Sequence, residues 1–247
     1  MQRTAQIAIA AAALVGLLTF VLLRDDGESG DAPAAARGTT RPLDARAFVD
    51  TIGVNVHLFY VDTAYRDYAM VKRRLTELGV RHVRDGFDPA HTPQFFDRVN
   101  DLAAAGIKST LIACRIAPAG VPWPTYVADA KAKVRGALDA IEGVNEPDLF
   151  AADLDWPNLA RGCQRTVYRS AKGRTGGPPL TVPVLGPSVQ AGDTRLGDIS
   201  AMADGAAVHP YPGGRAPASS QGYAFTQQVA GVRAHEFGDR PVAVVAT

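Results

Sequence analysis

The chain has only 2 cysteines among its 247 residues, too few for a fold built on a disulfide framework. Cys114 and Cys163 could form one bridge if the protein is exported, and the sequence leaves this pairing open. An excess of charge of one sign is also lacking, since Lys and Arg are scattered among Asp and Glu and the net charge is +1. Without a basic stripe, the sequence gives no indication of a nucleic-acid partner.

Glycine motifs that bind dinucleotides or phosphates are missing as well. The first predicted strand leads into His57-Leu58-Phe59-Tyr60, where a Rossmann fold would have a Gly-x-Gly-x-x-Gly turn. The glycine-rich segment 173–177 opens no obvious helix, and there is no P-loop. No cluster of potential metal ligands is visible either. The sequence therefore predicts neither a cofactor nor a bound metal.

One long hydrophobic run is present, close to the N-terminus. Residues 7–23 are apolar except for Gly16 and Thr19, and Arg3 precedes them. As a helix this run would be about 26 Å long, close to the thickness of a bilayer core. We predict a transmembrane anchor over 1–24 that leaves the rest of the chain outside the cell, with a cleaved secretory signal as the alternative. A flexible linker is predicted over 25–44 and a folded domain over 45–247.

Short β-rich runs alternate with helical patterns throughout the predicted domain. Such alternation indicates parallel strands with helices packed outside them. Polar and aromatic residues follow the strands, as they do at the catalytic end of a barrel, which favours a (β/α)₈ TIM barrel over an open doubly wound sheet. We predict an incomplete barrel of about seven strands. The strands are expected at 51–57, 80–84, 109–114, 140–145, 182–186, 206–208 and 242–246, and the helices at 65–78, 93–105, 125–138, 158–171 and 225–237.

The strongest motif is Asn145-Glu146-Pro147, directly after the fourth predicted strand. A carboxyl partly buried at such a strand end is suited to general acid catalysis. The neighbouring amide can hydrogen-bond a sugar hydroxyl, and Pro147 restricts the conformation of Glu146. The alternative is a Glu-Pro turn without chemistry. That alternative loses weight because His209-Pro210-Tyr211 follows the sixth predicted strand, also where a barrel would have its catalytic end.

These motifs resemble the glycoside hydrolases of clan A, which include family 5 cellulases and family 39 xylosidases. The resemblance implies that Glu146 is the catalytic acid/base and that Asn145 holds the 2-hydroxyl of the substrate. It also implies that His209 and Tyr211 contact the nucleophile and the sugar. Arg84, at the end of strand two, would hydrogen-bond the nucleophile, although an ion pair with Asp85 is the alternative.

Further candidates for sugar contacts follow the first, third and fourth strands. His57 is one, and Arg115 is another, although the clan often has a histidine at that position. Trp123 and Trp156 carry rings that could pack on a sugar, or else belong to the core of their loops.

A retaining glycosidase needs a second carboxyl about 5 Å from the first. The resemblance places this nucleophile at the end of strand seven, where the present sequence ends at Thr247. Glu236 is expected at the opposite end of the barrel, and Asp193 follows strand five, not strand seven. We therefore expect a truncated form of a longer enzyme, with strands one and seven as unpaired edges.

The resulting hypothesis is a retaining glycosidase that acts on an oligo- or polysaccharide outside the membrane. One alternative is a glycan-binding pseudoenzyme, or an inactive fragment, without a nucleophile. A metal-dependent hydrolase on the same barrel is a third possibility.

Overall fold

The computed structural model describes residues 44–87, 93–116, 122–189, 194–211, 224–238 and 242–244, together with Gly214 and Ala216. The predicted membrane anchor, the predicted linker up to residue 43, Asp193 and the last three residues lie outside these ranges. Within them, no helix is both long and apolar enough to cross a membrane.

Seven parallel strands form a single curled sheet whose spatial order follows the chain. The strands are β1 Gly53–Asn55, β2 His82–Gly86, β3 Lys108–Ile112, β4 Leu138–Glu142, β5 Val184–Val189, β6 Gly205–Val208 and β7 Val242–Val244. Because parallel neighbours need a crossover connection, each strand end is followed by a return of the chain across the sheet. This α/β architecture is consistent with an incomplete (β/α)₈ barrel.

Most crossovers contain a helix. The helices are α1 Ala45–Val49, α2 Tyr68–Glu77, α3 Pro93–Ala104, α4 Trp123–Lys133, α5 Pro147–Phe150, α6 Trp156–Ala171 and α7 Phe225–Val232, which a π-helix over Arg233–Phe237 extends. Short 3₁₀ turns occur at Ala64–Arg66, Thr194–Leu196 and Ser200–Met202. The Asp67 side chain caps α2 by accepting a hydrogen bond from Met70 N at 3.0 Å. Gly106, with a left-handed φ of 82°, follows the C-terminal end of α3.

All seven predicted strands and all five predicted helices are present, but several boundaries differ. Strand β3 ends at Ile112 and not at Cys114, because Cys114 adopts a left-handed φ of 76° that extended backbone excludes. The helix predicted over 125–138 ends at Lys133, and Leu138 already belongs to β4. The helix predicted from Tyr65 is divided, since Asp67 interrupts it and caps the second part.

The hydrophobic core lies between the sheet and the helices. Leu111 of β3 and Ile141 of β4 are fully buried there, against α3 residues such as Leu102 and α6 residues such as Val167. Side chains alternate between the two faces of a strand, so Arg84 and Glu142 point to the other, concave face. They meet there across the intervening β3. The inner face of the sheet is therefore polar at the point where the candidate site begins.

Candidate active site

Glu146 occupies a constrained turn between β4 and α5. Its backbone is left-handed, with φ of 45° and ψ of 53°, a conformation that costs a non-glycine residue about 1 kcal/mol. The Glu146 N–H donates to the Ser188 carbonyl at 2.8 Å, and Asn145 forms a bridge to the same residue of β5. Pro147 then begins α5. This anchoring holds an unfavourable backbone conformation and directs the Glu146 side chain towards β6.

Two side chains that follow β6 contact the Glu146 carboxylate. His209 Nδ1 lies 2.7 Å from Glu146 Oε1, and the Tyr211 hydroxyl donates to the same oxygen at 3.3 Å. The His209 side chain is completely buried and that of Glu146 is 5% exposed. Burial lowers the pKa of His209; the hydrogen bond with Glu146 opposes this shift, whereas the nearby Arg84 charge adds to it. The imidazole is therefore neutral at pH 7.

Below this group, Arg84 is held by a buried bidentate ion pair with Glu142. Arg84 Nε and Nη2 donate to the two carboxylate oxygens of Glu142 at 2.6 and 2.7 Å. Nη2 also donates to Asn145 Oδ1 at 2.7 Å and lies 3.4 Å from His209 Nε2. Ser188 Oγ donates to Glu142 Oε1 at 3.1 Å. Arg84 thus pairs with Glu142 and not with its sequence neighbour Asp85, the partner considered from the sequence.

The site opens into a cavity of about 650 Å³ at the carboxyl ends of β1 to β4. Asn145, Glu146, Arg84 and His57 are among the residues that line it. The His57 ring stacks on Tyr60, with centroids 4.6 Å apart and planes 10° from parallel. Partial burial lowers the pKa of His57, and the Arg84 charge lowers it further. The cavity wall therefore combines uncharged aromatic rings with the polar side chains around Glu146.

Most of the predicted site residues come together here, but not all. Glu146, Asn145, Arg84, His209 and Tyr211 form one hydrogen-bonded group, and His57 and Arg115 line the adjoining cavity. Trp123 is not among the described residues that line this cavity, because it begins α4 and its ring lies against Gly162 of α6.

Trp156 is fully buried as the first residue of α6, with the Arg195 guanidinium over its ring at 5.2 Å. It belongs to the core, which was one of the two interpretations of its sequence position. Glu236 is buried in the π-helix before β7, where its carbonyl accepts a hydrogen bond from Ile199 N.

Three residues of the site were not singled out from the sequence. Glu142 and Ser188 complete the Arg84 group, and a carboxylate between the apolar residues Ile141 and Val144 is the signal that could have revealed Glu142. Asp85 is the third: it lines the cavity and is 1% exposed. Asp85 Oδ2 accepts from Leu58 N at 2.8 Å, and Oδ1 has no hydrogen-bond partner among the described residues. Burial raises the pKa of Asp85 well above its ordinary value. The backbone N–H groups of Leu58 and Gly86 and the charge of Arg84 act in the opposite direction but do not outweigh burial.

The structure also joins Cys114 and Cys163 in a disulfide, with the two Cα atoms 6.2 Å apart. Cys114 lines the cavity and Cys163 lies in α6. In the described part of the chain, no three His, Cys, Asp or Glu side chains are grouped so that they could hold a metal ion.

Comparison with solved structures shows a likeness in fold. A β-xylosidase from Caulobacter crescentus CB15 aligns with a TM-score of 0.51 and 17% identity over 78% of this chain. A structure described as a deoxyribose-phosphate aldolase from Coccidioides immitis aligns with a TM-score of 0.49 and 10% identity, over 80% of this chain and 72% of the other. The chain covers 51% of the xylosidase, so it spans about half of that protein. No protein-family model and no curated protein sequence matches the chain.

Proposed function

We propose that this chain carries the acid/base half of a retaining glycoside hydrolase of clan A type, acting on an oligo- or polysaccharide. The observation that carries the proposal is the environment of Glu146. Its buried carboxylate is held by His209 and Tyr211 and lies at the wall of a cavity large enough for sugar residues. The fold likeness to a β-xylosidase is in keeping with this proposal.

In the proposed reaction, Glu146 protonates the glycosidic oxygen as the bond to the sugar breaks. The nucleophilic carboxylate attacks the anomeric carbon and forms a covalent glycosyl-enzyme. Glu146, now ionised, removes a proton from water, which attacks the same carbon and releases the sugar with retained configuration. Asn145, His57 and Tyr211 are proposed to hold the sugar hydroxyls.

The nucleophile cannot be Glu142, although this carboxylate lies in the same group. The Glu142 side chain is completely buried, and both of its oxygens accept hydrogen bonds from Arg84. We therefore assign the nucleophile to a residue outside the described ranges. A glycan-binding pseudoenzyme remains the second candidate, because Glu142 cannot supply the missing function.

The enzyme proposal requires a second carboxylate about 5 Å from Glu146, so it is tested on the full-length protein. The full-length protein should hydrolyse members of a glycan panel, and Glu146→Gln should abolish this activity without changing the fold. Glu77→Gln, which removes an exposed carboxylate from α2, is the matched control and should remain active.

The acid/base role is tested by Glu146→Ala in the full-length protein. With a substrate whose leaving group needs no protonation, the glycosyl-enzyme forms but water attacks it slowly. Added azide, which needs no general base, should restore turnover and give a glycosyl azide of retained configuration. Undiminished hydrolysis by either Glu146 variant would refute the assignment, whereas glycan binding without any turnover would favour the pseudoenzyme.

We also propose that the domain is anchored outside the cell membrane by residues 7–23. The Cys114–Cys163 disulfide supports an exported domain, because such bonds persist mainly in oxidising compartments. Protease added to intact cells should release the domain, and cells expressing a variant without residues 1–24 should retain it inside. Protection of the domain in intact cells would contradict this localisation.

A further inference from the structure

Four buried side chains form a continuous polar chain that leads to the proposed acid/base. Glu142 pairs with Arg84, Arg84 Nη2 lies 3.4 Å from His209 Nε2, and His209 Nδ1 lies 2.7 Å from Glu146 Oε1. Each group in this chain can donate or accept hydrogen bonds only at particular atoms. The contacts therefore determine which nitrogen of the His209 ring carries the proton.

The guanidinium of Arg84 determines which nitrogen of His209 carries the proton. A guanidinium has five N–H donors and no acceptor. His209 Nε2 faces Arg84 Nη2. A proton on Nε2 would therefore point one N–H group at another, whereas a lone pair on Nε2 is attracted to the positive charge of the guanidinium. The neutral ring therefore carries its proton on Nδ1, from which it donates to Glu146 Oε1.

Arg84 also orients the Asn145 amide. Because Arg84 Nη2 can only donate, the atom of Asn145 that lies 2.7 Å from it is the carbonyl oxygen. The amide NH₂ group is then the part of Asn145 available to the cavity, which Asn145 lines. Asn145 is thus presented as a hydrogen-bond donor.

Glu142 holds Arg84 in this position. Its two oxygens take Nε and Nη2 in a fixed bidentate geometry, and Ser188 Oγ donates to one of them. The side chains of Arg84 and Glu142 are 7% and 0% exposed, so the pair is largely shielded from solvent. Without the Glu142 charge, Arg84 would be an uncompensated buried cation, free to turn towards Glu146.

We infer that Glu142 is a positioning residue, which acts through Arg84 to select the Nδ1–H tautomer of His209. Glu146 Oε1 then accepts hydrogen bonds from both His209 and Tyr211. The catalytic meaning of this arrangement rests on the proposed function. The tautomer itself does not, so it can be measured on this chain whether or not the chain turns over substrate.

The test is a long-range ¹H–¹⁵N NMR correlation spectrum of the ¹⁵N-histidine-labelled protein at pH 7. This spectrum shows which ring nitrogen of a histidine is protonated, and a His209→Gln variant assigns the signals by their loss. The inference expects a neutral His209 with its proton on Nδ1. A proton on Nε2 of His209 in the wild-type protein would overturn it.

The variants then test the role of Glu142. Glu142→Gln is isosteric but uncharged, and it should convert His209 to a mixture of tautomers or to the Nε2–H form. Ser188→Ala keeps the ion pair and should retain Nδ1–H, as should the surface control Glu77→Gln. An unchanged Nδ1–H tautomer in folded Glu142→Gln would show that Glu142 does not set it. If Glu142→Gln does not fold, Arg84→Gln makes the same test from the other partner of the pair.

Discussion

Reduction of the Cys114–Cys163 disulfide should markedly destabilise the domain. The bond joins Cys114, two residues beyond the end of β3, to Cys163 in the middle of α6. The two cysteines are 49 residues apart in the sequence. Both cysteines are buried, at 5% and 0% exposure. The double variant Cys114→Ala/Cys163→Ala removes the bond without placing an unsatisfied hydroxyl group in the core.

The size of the effect follows from the length of the closed loop. Cross-linking residues 49 apart removes chain entropy from the unfolded state equivalent to about 4 kcal/mol at 25 °C. For a domain of this size, each kcal/mol changes Tm by about 2–4 °C. Reduction should therefore lower Tm by about 8–16 °C. It should also raise the denaturant m-value, because the unfolded chain without a cross-link exposes more surface.

The assay compares urea unfolding, followed by far-UV circular dichroism, with and without reductant. Thiol titration in denaturant comes first and should find no free thiol before reduction and both after it. The double alanine variant should unfold at a lower urea concentration than the oxidised protein and should not respond to reductant. Two free thiols in the untreated protein, or equal midpoints for its oxidised and reduced forms, would refute the reasoning.

Three further predictions concern pH and glycine positions. Asp85→Asn should stabilise the domain at pH 7 but not near pH 3. Burial raises the pKa of Asp85 in the folded state, so the stabilising contribution of this side chain is lost as pH rises above its pKa in the unfolded chain. An equal effect of the substitution on the urea midpoint at both pH values would contradict this. The pKa of His209 is lowered in the folded state, so its contribution to stability is present above its pKa in the unfolded chain and declines as pH falls below about 6.5. His209→Gln should therefore reduce the change in urea midpoint between pH 7 and pH 5. Gly143→Ala should cost at least about 2 kcal/mol in urea unfolding, because its Cβ would lie 2.7 Å from Pro187 N and closer still to Gln164 Oε1. Gly231→Ala is the matched control, since its Cβ meets nothing within 4 Å and alanine in α7 should add about 0.5–1 kcal/mol.

The order of strands and helices was predictable because it depends on local patterns. Each strand and each helix buries apolar residues at a characteristic spacing, and this pattern recurs along the chain because strands and helices alternate. The boundaries were less predictable where a single residue overrides the pattern. Cys114 ends the extended region through its left-handed backbone, and nothing in an apolar run such as Leu111-Ile112-Ala113 signals that conformation.

The proximity of several predicted site residues was predictable from their positions at strand ends. Glu146, Arg84 and His209 each follow or end a strand, and parallel strands bring their carboxyl ends to one edge. Their mutual pairing was not predictable, because it depends on which side chains face each other across β3. Arg84 therefore looked like a partner of Asp85 or of a nucleophile, whereas it is bound by Glu142, two strands away. Trp123 was misleading for the same reason, since its position in the sequence does not reveal that it faces α6.

The buried Arg84–Glu142 pair is difficult to explain by stability alone. Removing two charges from water costs several kcal/mol for each ion, and apolar replacements of similar volume are often as stable or more stable. The pair nevertheless lies on the concave face, where its donors reach both Asn145 and His209. A hydrophobic pair would fill the same space but could orient neither side chain. The desolvation cost is therefore better understood as the requirement for holding one amide and one imidazole in a single orientation beside Glu146.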